Sequence, residues 1–190
     1  MTDRLWLRPI QRDDLELLVD LDGDPAVMRY LTGGRASTAA EVEAEIERSA
    51  DHRRLGFLRD DAAEAGQGVE TAKRFVGWFG LRPGPGSSDR ELGYRCRRSM
   101  WGQGLATEGA RAVIEAGFAN PAVNRIWAQT MAVNQASRRV MERCGLRYVK
   151  TFHVDWDEPI TGAEHGEVLY ERHRSVSPHP QTPTTIDPDR

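Results

Sequence analysis

One stretch of the chain combines glycines, arginines and helix-forming residues at a spacing that could bind an anion. Residues 97–109 read RRSMWGQGLATEG, with Gly102 and Gly104 on either side of a glutamine. A strand ending at Arg97, a glycine turn and a helix from about Gln103 would leave backbone N–H groups free at a helix N-terminus, where they and the helix dipole favour a phosphate. A plain strand-to-helix turn would also need left-handed glycines. Both interpretations stay open on this stretch alone.

Two common nucleotide-binding loops can be tested directly against this stretch. A dinucleotide fingerprint needs G-x-G-x-x-G, but Thr107 stands where the third glycine belongs. It also needs a carboxylate about 20 residues further on, and the predicted strand 125–133 ends without one. A P-loop needs a lysine directly after its last glycine, and Gly104 is followed by leucine. Both loops are therefore excluded.

Composition alone excludes several classes of protein, without any assignment of secondary structure. The 190-residue chain has a formal net charge of −3, without the basic excess of a general nucleic-acid binder. No apolar stretch reaches the roughly 18 residues of a membrane helix, and no secretory signal is visible, so we expect a cytoplasmic protein that binds neither nucleic acid nor membrane. Cys96 and Cys144 lack CxxC spacing and the five histidines form no HxxxH pair, so no metal site is predicted.

Hydrophobic periodicity divides the chain into elements that predict an α/β fold. The mixed sheet should be antiparallel early, with one parallel contact where the helix after the glycines crosses over. Residues 1–174 are predicted to form one domain, and the Pro-rich residues 175–190 a disordered tail. The predicted strands are 4–10, 56–60, 75–81, 90–97, 125–133, 147–156 and 166–174. The predicted helices are 13–24, 38–52 (with a capping box), 103–118 and 135–144, with a short helical piece over 25–31.

Several motifs in the same order resemble those of the GNAT superfamily of acetyl-CoA-dependent N-acetyltransferases, and most of all its RimJ/RimL-like branch. The motifs are RLWLRP, DPAVMRYLTGG, FVGWFGL, ELGY, WGQGLATEG and NQASRRVMERCGL, which together span roughly residues 3–172. Trp101 stands where the family's acyl-CoA signature has Gln or Arg, although tryptophan is typical of this branch. The resemblance implies a GNAT fold, with a mostly antiparallel sheet of six to seven strands and about four helices.

The resemblance also implies how acetyl-CoA binds as co-substrate. Backbone amides of the glycine turn should hold the pyrophosphate, and the end of the preceding strand should pair with the pantetheine arm. Asn134, before the next helix, should contact pantetheine or serve only as an N-cap. Arg138, in that helix, should reach the phosphates or face solvent. The residues implied are Cys96, Arg97, Trp101, Gly102, Gln103, Gly104, Ala106, Thr107, Asn134 and Arg138.

The chemistry requires a proton acceptor and a donor to the leaving thiolate, because an amine must lose a proton as it attacks a thioester. Glu91 is the candidate base, or else only an exposed carboxylate at the edge of a strand. Ser137 is the candidate proton donor, or else only an inert small residue of its helix. A backbone N–H near Tyr94 should polarise the thioester carbonyl. In this family the strands 90–97 and 125–133 diverge and the thioester sits between them. No covalent intermediate is expected, so direct attack in a ternary complex is the simplest mechanism.

The sequence indicates the identity of the acceptor amine less clearly than that of the co-substrate. In this family the last hairpin and the first two helices surround it, and here that hairpin is acidic, which would attract a cationic amine. Candidate lining residues are Tyr30, Trp78, Asp155 and Asp157. A peptide or protein N-terminus, a polyamine and an aminoglycoside all remain possible acceptors, as does a non-catalytic acyl-CoA-binding module. A homodimer is a further possibility.

Overall fold

The computed structural model describes residues 2–59, 74–156 and 158–175, and its core is one seven-stranded sheet in the order β1-β2-β3-β4-β5-β7-β6. Among the described strands, only β4 and β5 form a parallel pair, so the predicted mixed, mostly antiparallel sheet is confirmed. Residue 157 and the predicted tail from residue 176 on lie outside the described residues. The strands are β1 Leu5–Pro9, β2 Arg53–Leu58, β3 Phe75–Pro83, β4 Asp89–Cys96, β5 Arg125–Met131, β6 Arg147–Phe152 and β7 Glu167–His173.

Five α-helices occur in the described parts of the chain, one more than the resemblance implied, because the short helical piece after Asp24 forms a turn of its own. The Asp24 side chain accepts from the N–H of Ala26 and caps this turn. None of the helices in these parts combines the length and the apolar character that a bilayer-crossing segment needs. The helices are α1 Leu15–Gly23, α2 Pro25–Met28, α3 Ala39–Ser49, α4 Leu105–Ala119 and α5 Gln135–Arg143.

The helix after the glycine turn begins at Leu105 and not at Gln103 as predicted. Gly102 and Gly104 have φ angles of 75° and 79°, both left-handed and therefore incompatible with a helix interior. Gly104 occupies the N-cap position. The left-handed turn therefore extends two residues further than the sequence pattern indicates.

Helices cover the two faces of the sheet unequally. α1 and α3 pack on the β1–β4 part of one face through a cluster that includes Leu21, Leu55 and Trp78. α4 and α5 pack on the other face through a larger cluster that includes Phe79 and Tyr170. We call these the α1 face and the α4 face.

The parallel strands β4 and β5 pair over only three residues and then diverge. The register joins Asp89 to Arg125 and Glu91 to Trp127, and no pairing continues beyond Glu91. A gap therefore opens between the second half of β4 and the second half of β5. It is the divergence that the resemblance implied.

α4 lies unusually close to β3 because Gly109 faces a buried ring. A Cβ at Gly109 would stand 2.4–2.6 Å from three ring carbons of Phe79, which is fully buried. We expect Gly109→Ala to lower the free energy of unfolding by about 1–3 kcal/mol, the usual cost of overpacking a core. Denaturant unfolding measures this. Gly23→Ala is the matched control, since nothing lies within 4 Å of its Cβ position; equal stability of the two variants would contradict the close packing.

Candidate active site

The N-terminus of α4 presents a row of free backbone donors. The N–H of Glu108 is the first of the helix to reach an acceptor, the carbonyl of Gly104 at 3.1 Å. The amides from Gly104 to Thr107 therefore have no partner within the helix. The side chains of Leu105 and Thr107 are buried, so a ligand at this end would meet backbone N–H groups. This arrangement binds phosphate well.

Arg4, a residue that the sequence patterns did not single out, holds the glycine turn in place. Its guanidinium donates to the carbonyl of Gln103 at 2.9 Å and to the carboxylate of Glu108 at 2.7 Å. Burial raises the pKa of Glu108, but the hydrogen bonds from Thr2 and Arg4 outweigh it, and the net pKa lies below its usual range. Arg4, directly before β1, thus ties the start of the chain to the anion-binding end of α4, where its charge is paired with that of Glu108. The long separation in sequence hides this contact.

Trp101 closes the turn over the end of β4. Its indole N–H donates to the carbonyl of Cys96 at 2.9 Å, while the residue remains 49% exposed. The N–H of Arg97 donates to Val76 in β3 at 2.8 Å. Because backbone groups alternate in direction along a strand, Arg97 turns its N–H away from the gap, and Cys96 turns its backbone towards it.

The backbone groups of Leu92, Tyr94 and Cys96 therefore line the β4 side of the gap. Strand pairing ends beside Leu92 and satisfies no backbone group of Tyr94 or Cys96 on this side, since β5 has diverged. Such free groups can pair with the amides of an extended ligand or donate to a carbonyl. Of the two predicted backbone contacts, the geometry fits Cys96 and does not fit Arg97.

Ser137 lies at the gap through a contact with Tyr94. The Tyr94 hydroxyl lies 2.8 Å from Ser137 Oγ and 3.1 Å from the Ser137 carbonyl oxygen. Burial raises the pKa of Tyr94, so its phenol stays protonated. Asn134 occupies the N-cap of α5: its Oδ1 accepts from the Ser137 N–H at 3.2 Å, and its Nδ2 donates to Thr130 at 3.0 Å. The structure therefore joins Ser137, Asn134 and Tyr94 in one hydrogen-bonded group.

Two carboxylates face the gap from the α1 face. Glu91, the last paired residue of β4, receives two hydrogen bonds from Arg82, at 2.6 and 2.7 Å. Glu167 begins β7 and is only 9% exposed. Burial raises the pKa of Glu167, and the charge of Glu91 raises it further. The sequence showed Glu167 only as one acidic residue of the last hairpin, because nothing local indicates its burial.

A groove of about 880 Å³ lies on the α1 face between α1, α2 and the end of β4. Arg97 lines it and forms an ion pair with Asp20. The groove has both acidic and basic walls and stands beside the open end of the gap. Its lining residues are Asp20, Leu21, Gly23, Asp24, Val27, Arg97, Arg98 and Ser99.

The residues predicted to line the acceptor site do not line this groove. Trp78 is buried, with the Arg53 guanidinium 3.9 Å from its ring centre. Tyr30 is half-buried beneath Arg29, and Asp155 is exposed on the loop after β6. Asp157 lies outside the described residues.

Arg138 is likewise separate from the glycine turn. Its guanidinium donates to the hydroxyl of Tyr170 at 3.2 Å and to the carbonyl of Ala132 at 3.1 Å. It lines a different pocket, of about 420 Å³, together with Tyr148 and His165. The structure thus directs Arg138 towards β7 and not towards the expected phosphates.

Neither cysteine has the character of a nucleophile. Burial raises the pKa of Cys96 to about 12 and that of Cys144 to about 11, so both thiols stay protonated near neutral pH. In the part of the chain that the structure describes, no three His, Cys, Asp or Glu side chains come together as a metal site.

A helix N-terminus with free amides, beside two diverging parallel strands in an α/β fold, is the arrangement that the resemblance implied for an acyl-CoA site. Comparison with known proteins agrees: residues 4–147 match the model of the acetyltransferase (GNAT) domain. The chain belongs to the GNAT family and is an N-acetyltransferase that uses acetyl-CoA as co-substrate. This match identifies the family and does not distinguish its RimJ/RimL-like branch, which stays a prediction from the sequence.

Similar proteins support the family on sequence and on fold. The chain is 37% identical over 178 residues to the FsC-acetyl coenzyme A-N(2)-transacetylase of Aspergillus fumigatus, covering 89% of this chain and 73% of the relative. A GNAT acetyltransferase structure from Bacillus anthracis has a TM-score of 0.72 at 23% identity, with 91% and 96% of the two chains covered. RimL, the ribosomal L7/L12 alpha-N-protein acetyltransferase, in complex with coenzyme A, has a TM-score of 0.70 at 16% identity, with 90% and 95% covered.

The free amides of the glycine turn lead to a test of cofactor binding. Gly104→Glu should weaken acetyl-CoA binding at least about tenfold, or about 1.4 kcal/mol, because its carboxylate would repel the pyrophosphate. Calorimetric titration with acetyl-CoA measures the dissociation constant. Gly104→Asn is the matched control, since asparagine tolerates the left-handed conformation without adding charge. Parent-like binding by Gly104→Glu would place the pyrophosphate elsewhere.

Proposed function

We propose that the chain transfers the acetyl group of acetyl-CoA to a primary amine by direct attack in a ternary complex. The observation that carries the proposal is the gap between β4 and β5. The free amides of α4 stand at the open end of this gap, and the 880 Å³ groove reaches it from the α1 face. Two substrates could therefore meet there without a covalent intermediate, and the protonated thiol of Cys96 offers no nucleophile.

The co-substrate is proposed to lie along the β4 side of the gap. The amides of Gln103, Gly104, Ala106 and Thr107 would hold its pyrophosphate, as the resemblance implied. The free backbone groups of β4 would pair with the pantetheine arm, and one of their N–H groups would polarise the thioester carbonyl. Gly102 and Trp101 would act indirectly, by shaping the turn.

Ser137 is proposed to donate a proton to the departing thiolate. Its hydroxyl already contacts the Tyr94 phenol, which remains protonated and can hold the serine oxygen in place. Asn134 fixes the start of the same helix. Protonating the sulfur as the C–S bond breaks stabilises the leaving group and so favours its departure.

We propose a small molecule with a primary amine as the acceptor. The groove has a volume typical of small-molecule sites. The Aspergillus relative is named for acetyl transfer to N2 of FsC, which favours an amine on a compound over one on a protein. The carboxylates of Glu91 and Glu167 beside the gap would attract the ammonium group.

A protein N-terminus is the second candidate acceptor, in line with the RimJ/RimL-like motifs of the sequence. The neighbour that favours it is RimL, whose title describes an alpha-N-protein acetyltransferase. A cytoplasmic location and a homodimer stay predictions from the sequence.

Release of free CoA thiol from acetyl-CoA, measured with a panel of amines, tests the proposal. The panel should contain small α-amino compounds, peptides with free N-termini, polyamines and aminoglycosides. We expect turnover with small α-amino compounds and intersecting initial-rate lines, as a ternary complex requires. Stabilisation by acetyl-CoA without thiol release from any amine would instead support a non-catalytic acyl-CoA-binding module.

The Tyr94–Ser137 contact predicts a defect in chemistry and not in binding. Ser137→Ala should lower kcat about 100-fold, the lower end of the range for a positioned proton donor, and leave the KM for acetyl-CoA nearly unchanged. Steady-state kinetics with the best amine of the panel measures both. Ser87→Ala, the same substitution in the β3–β4 turn, is the control. An unchanged kcat in Ser137→Ala would remove the serine from the mechanism.

A further inference from the structure

Glu167 combines burial, lack of a partner and a position beside the open part of the gap. We propose that its carboxylate, directly or through one water, accepts the proton that the attacking amine must lose. This inference rests on the proposed acetyl transfer and assigns the proton acceptor within it. The role was expected of Glu91.

The register places Glu167 where the gap is open. It pairs with Met131, the last residue of β5, and with Phe152 at the end of β6. Its neighbours Val168 and Tyr170 belong to the cluster on the α4 face. Because side chains alternate along a strand, Glu167 projects from the α1 face, as Glu91 does on β4.

The turn before β7 packs onto the end of β5, next to the strand partner of Glu167. A Cβ at Gly162, whose φ is 96°, would stand 2.7 Å from Val133 and 3.4 Å from Met131, so this turn packs tightly onto the end of β5. Glu167 is left 9% exposed, and its carboxylate has no hydrogen bond or ion pair within the described residues.

The electrostatic surroundings of Glu167 suit a base. Burial raises its pKa, and Glu91 raises it further from across the gap. The titratable groups nearest to Glu167 along the chain and the register are His153, just after β6, and Glu164 and His165 in the turn before β7. Further along, β5, β6 and β7 carry Arg125, Arg147, Tyr148, Lys150, Tyr170, Glu171, Arg172 and His173. A base with a raised pKa holds the transferred proton more readily at the operating pH, and the small exposed fraction of Glu167 lets it return that proton to solvent.

Glu91 and Glu171 differ from Glu167 because each is held by an arginine. Arg82 donates to both oxygens of Glu91 in a charge-assisted pair, so this carboxylate is already engaged within the sheet. Glu171 projects from the same face of β7 and pairs with Arg125 at 2.8 Å. Of the three carboxylates, Glu167 alone has both oxygens unengaged within the described residues.

The proposed step balances as follows. The acceptor enters as an ammonium ion and gives one proton to Glu167. The freed nitrogen lone pair forms the C–N bond at the thioester carbon, and the C–S bond then breaks with its electron pair on sulfur. The second nitrogen proton reaches the sulfur by way of Ser137, which gives an amide and free CoA thiol. Glu167 then returns its proton to solvent.

Glu167→Gln tests the assignment through the pH profile of kcat/KM for the amine. We expect a loss of about 100-fold near pH 7, within the range for a positioned base. The acid limb of the parent profile, with a midpoint above the usual glutamate pKa, should disappear, and the defect should shrink as pH rises and free amine becomes abundant.

Glu171→Gln is the matched control on the same strand and face, and its profile should match that of the parent. A parent-like profile in Glu167→Gln, or loss of the acid limb in Glu91→Gln instead, would overturn the assignment while leaving acetyl transfer intact. If the parent itself acetylates no amine in the panel, the proposed function fails rather than this inference.

Thermal unfolding gives a readout that needs no turnover. A carboxyl group whose pKa is raised in the fold favours its neutral form, so the stability it contributes at low pH is lost as pH rises through that pKa. Glutamine stays neutral at both pH values, so Glu167→Gln should melt above the parent at pH 8 and match it at pH 4. A melting temperature below the parent at pH 8 would show that Glu167 has a structural partner and would contradict the proposal.

Discussion

The early end of hydrogen bonding between β4 and β5 is the constraint on which the rest of the structure depends. Parallel strands normally pair along their length, yet here the ladder stops after Glu91 and leaves one side of Tyr94 and Cys96 without a strand partner. Unpaired buried backbone groups are costly, at about 1–3 kcal/mol each. Trp101 satisfies one of them through the Cys96 carbonyl. The remaining groups would be satisfied if an extended ligand took the place of the missing strand, as we propose for the pantetheine arm of acetyl-CoA.

Contacts from both faces keep the two strands apart. On the α4 face, the Tyr94 hydroxyl contacts Ser137 of α5, so the helix after β5 stands against the free half of β4. On the α1 face, Arg95 of β4 forms an ion pair with buried Asp22 of α1, and Arg53 packs over Trp78 in the neighbouring strand. Trp78 therefore supports β4 from the core rather than lining the acceptor site. The gap is held by side-chain chemistry on both sides.

The sequence predicts features that depend on neighbouring residues better than contacts between residues far apart in the chain. The glycine turn, the Asn134 cap and the order of strands follow from neighbouring residues, and the divergence follows from resemblance to a family. The start of α4 was misplaced because a left-handed N-cap at Gly104 resembles a helical glycine in sequence. The roles of Arg4 and Glu167 could not be identified from the sequence. Arg4 contacts an element about a hundred residues away along the chain, and Glu167 lies near elements several tens of residues away. Arg138 was misdirected because Tyr170 reaches it only once β7 inserts between β5 and β6.

That insertion of β7 gives the two carboxylates their different properties. Glu91 lies on a strand whose neighbour supplies Arg82, so its charge is balanced within the sheet. Glu167 lies beside Met131 and next to a closely packed turn, where no cation within the described residues reaches it and where the charge of Glu91 opposes its ionisation. Such a group destabilises the fold at neutral pH. Groups with perturbed pKa values that lower stability are typical of functional sites. An ammonium ion entering the gap would relieve the repulsion between the two carboxylates, so binding the acceptor and preparing it for attack would draw on the same interaction.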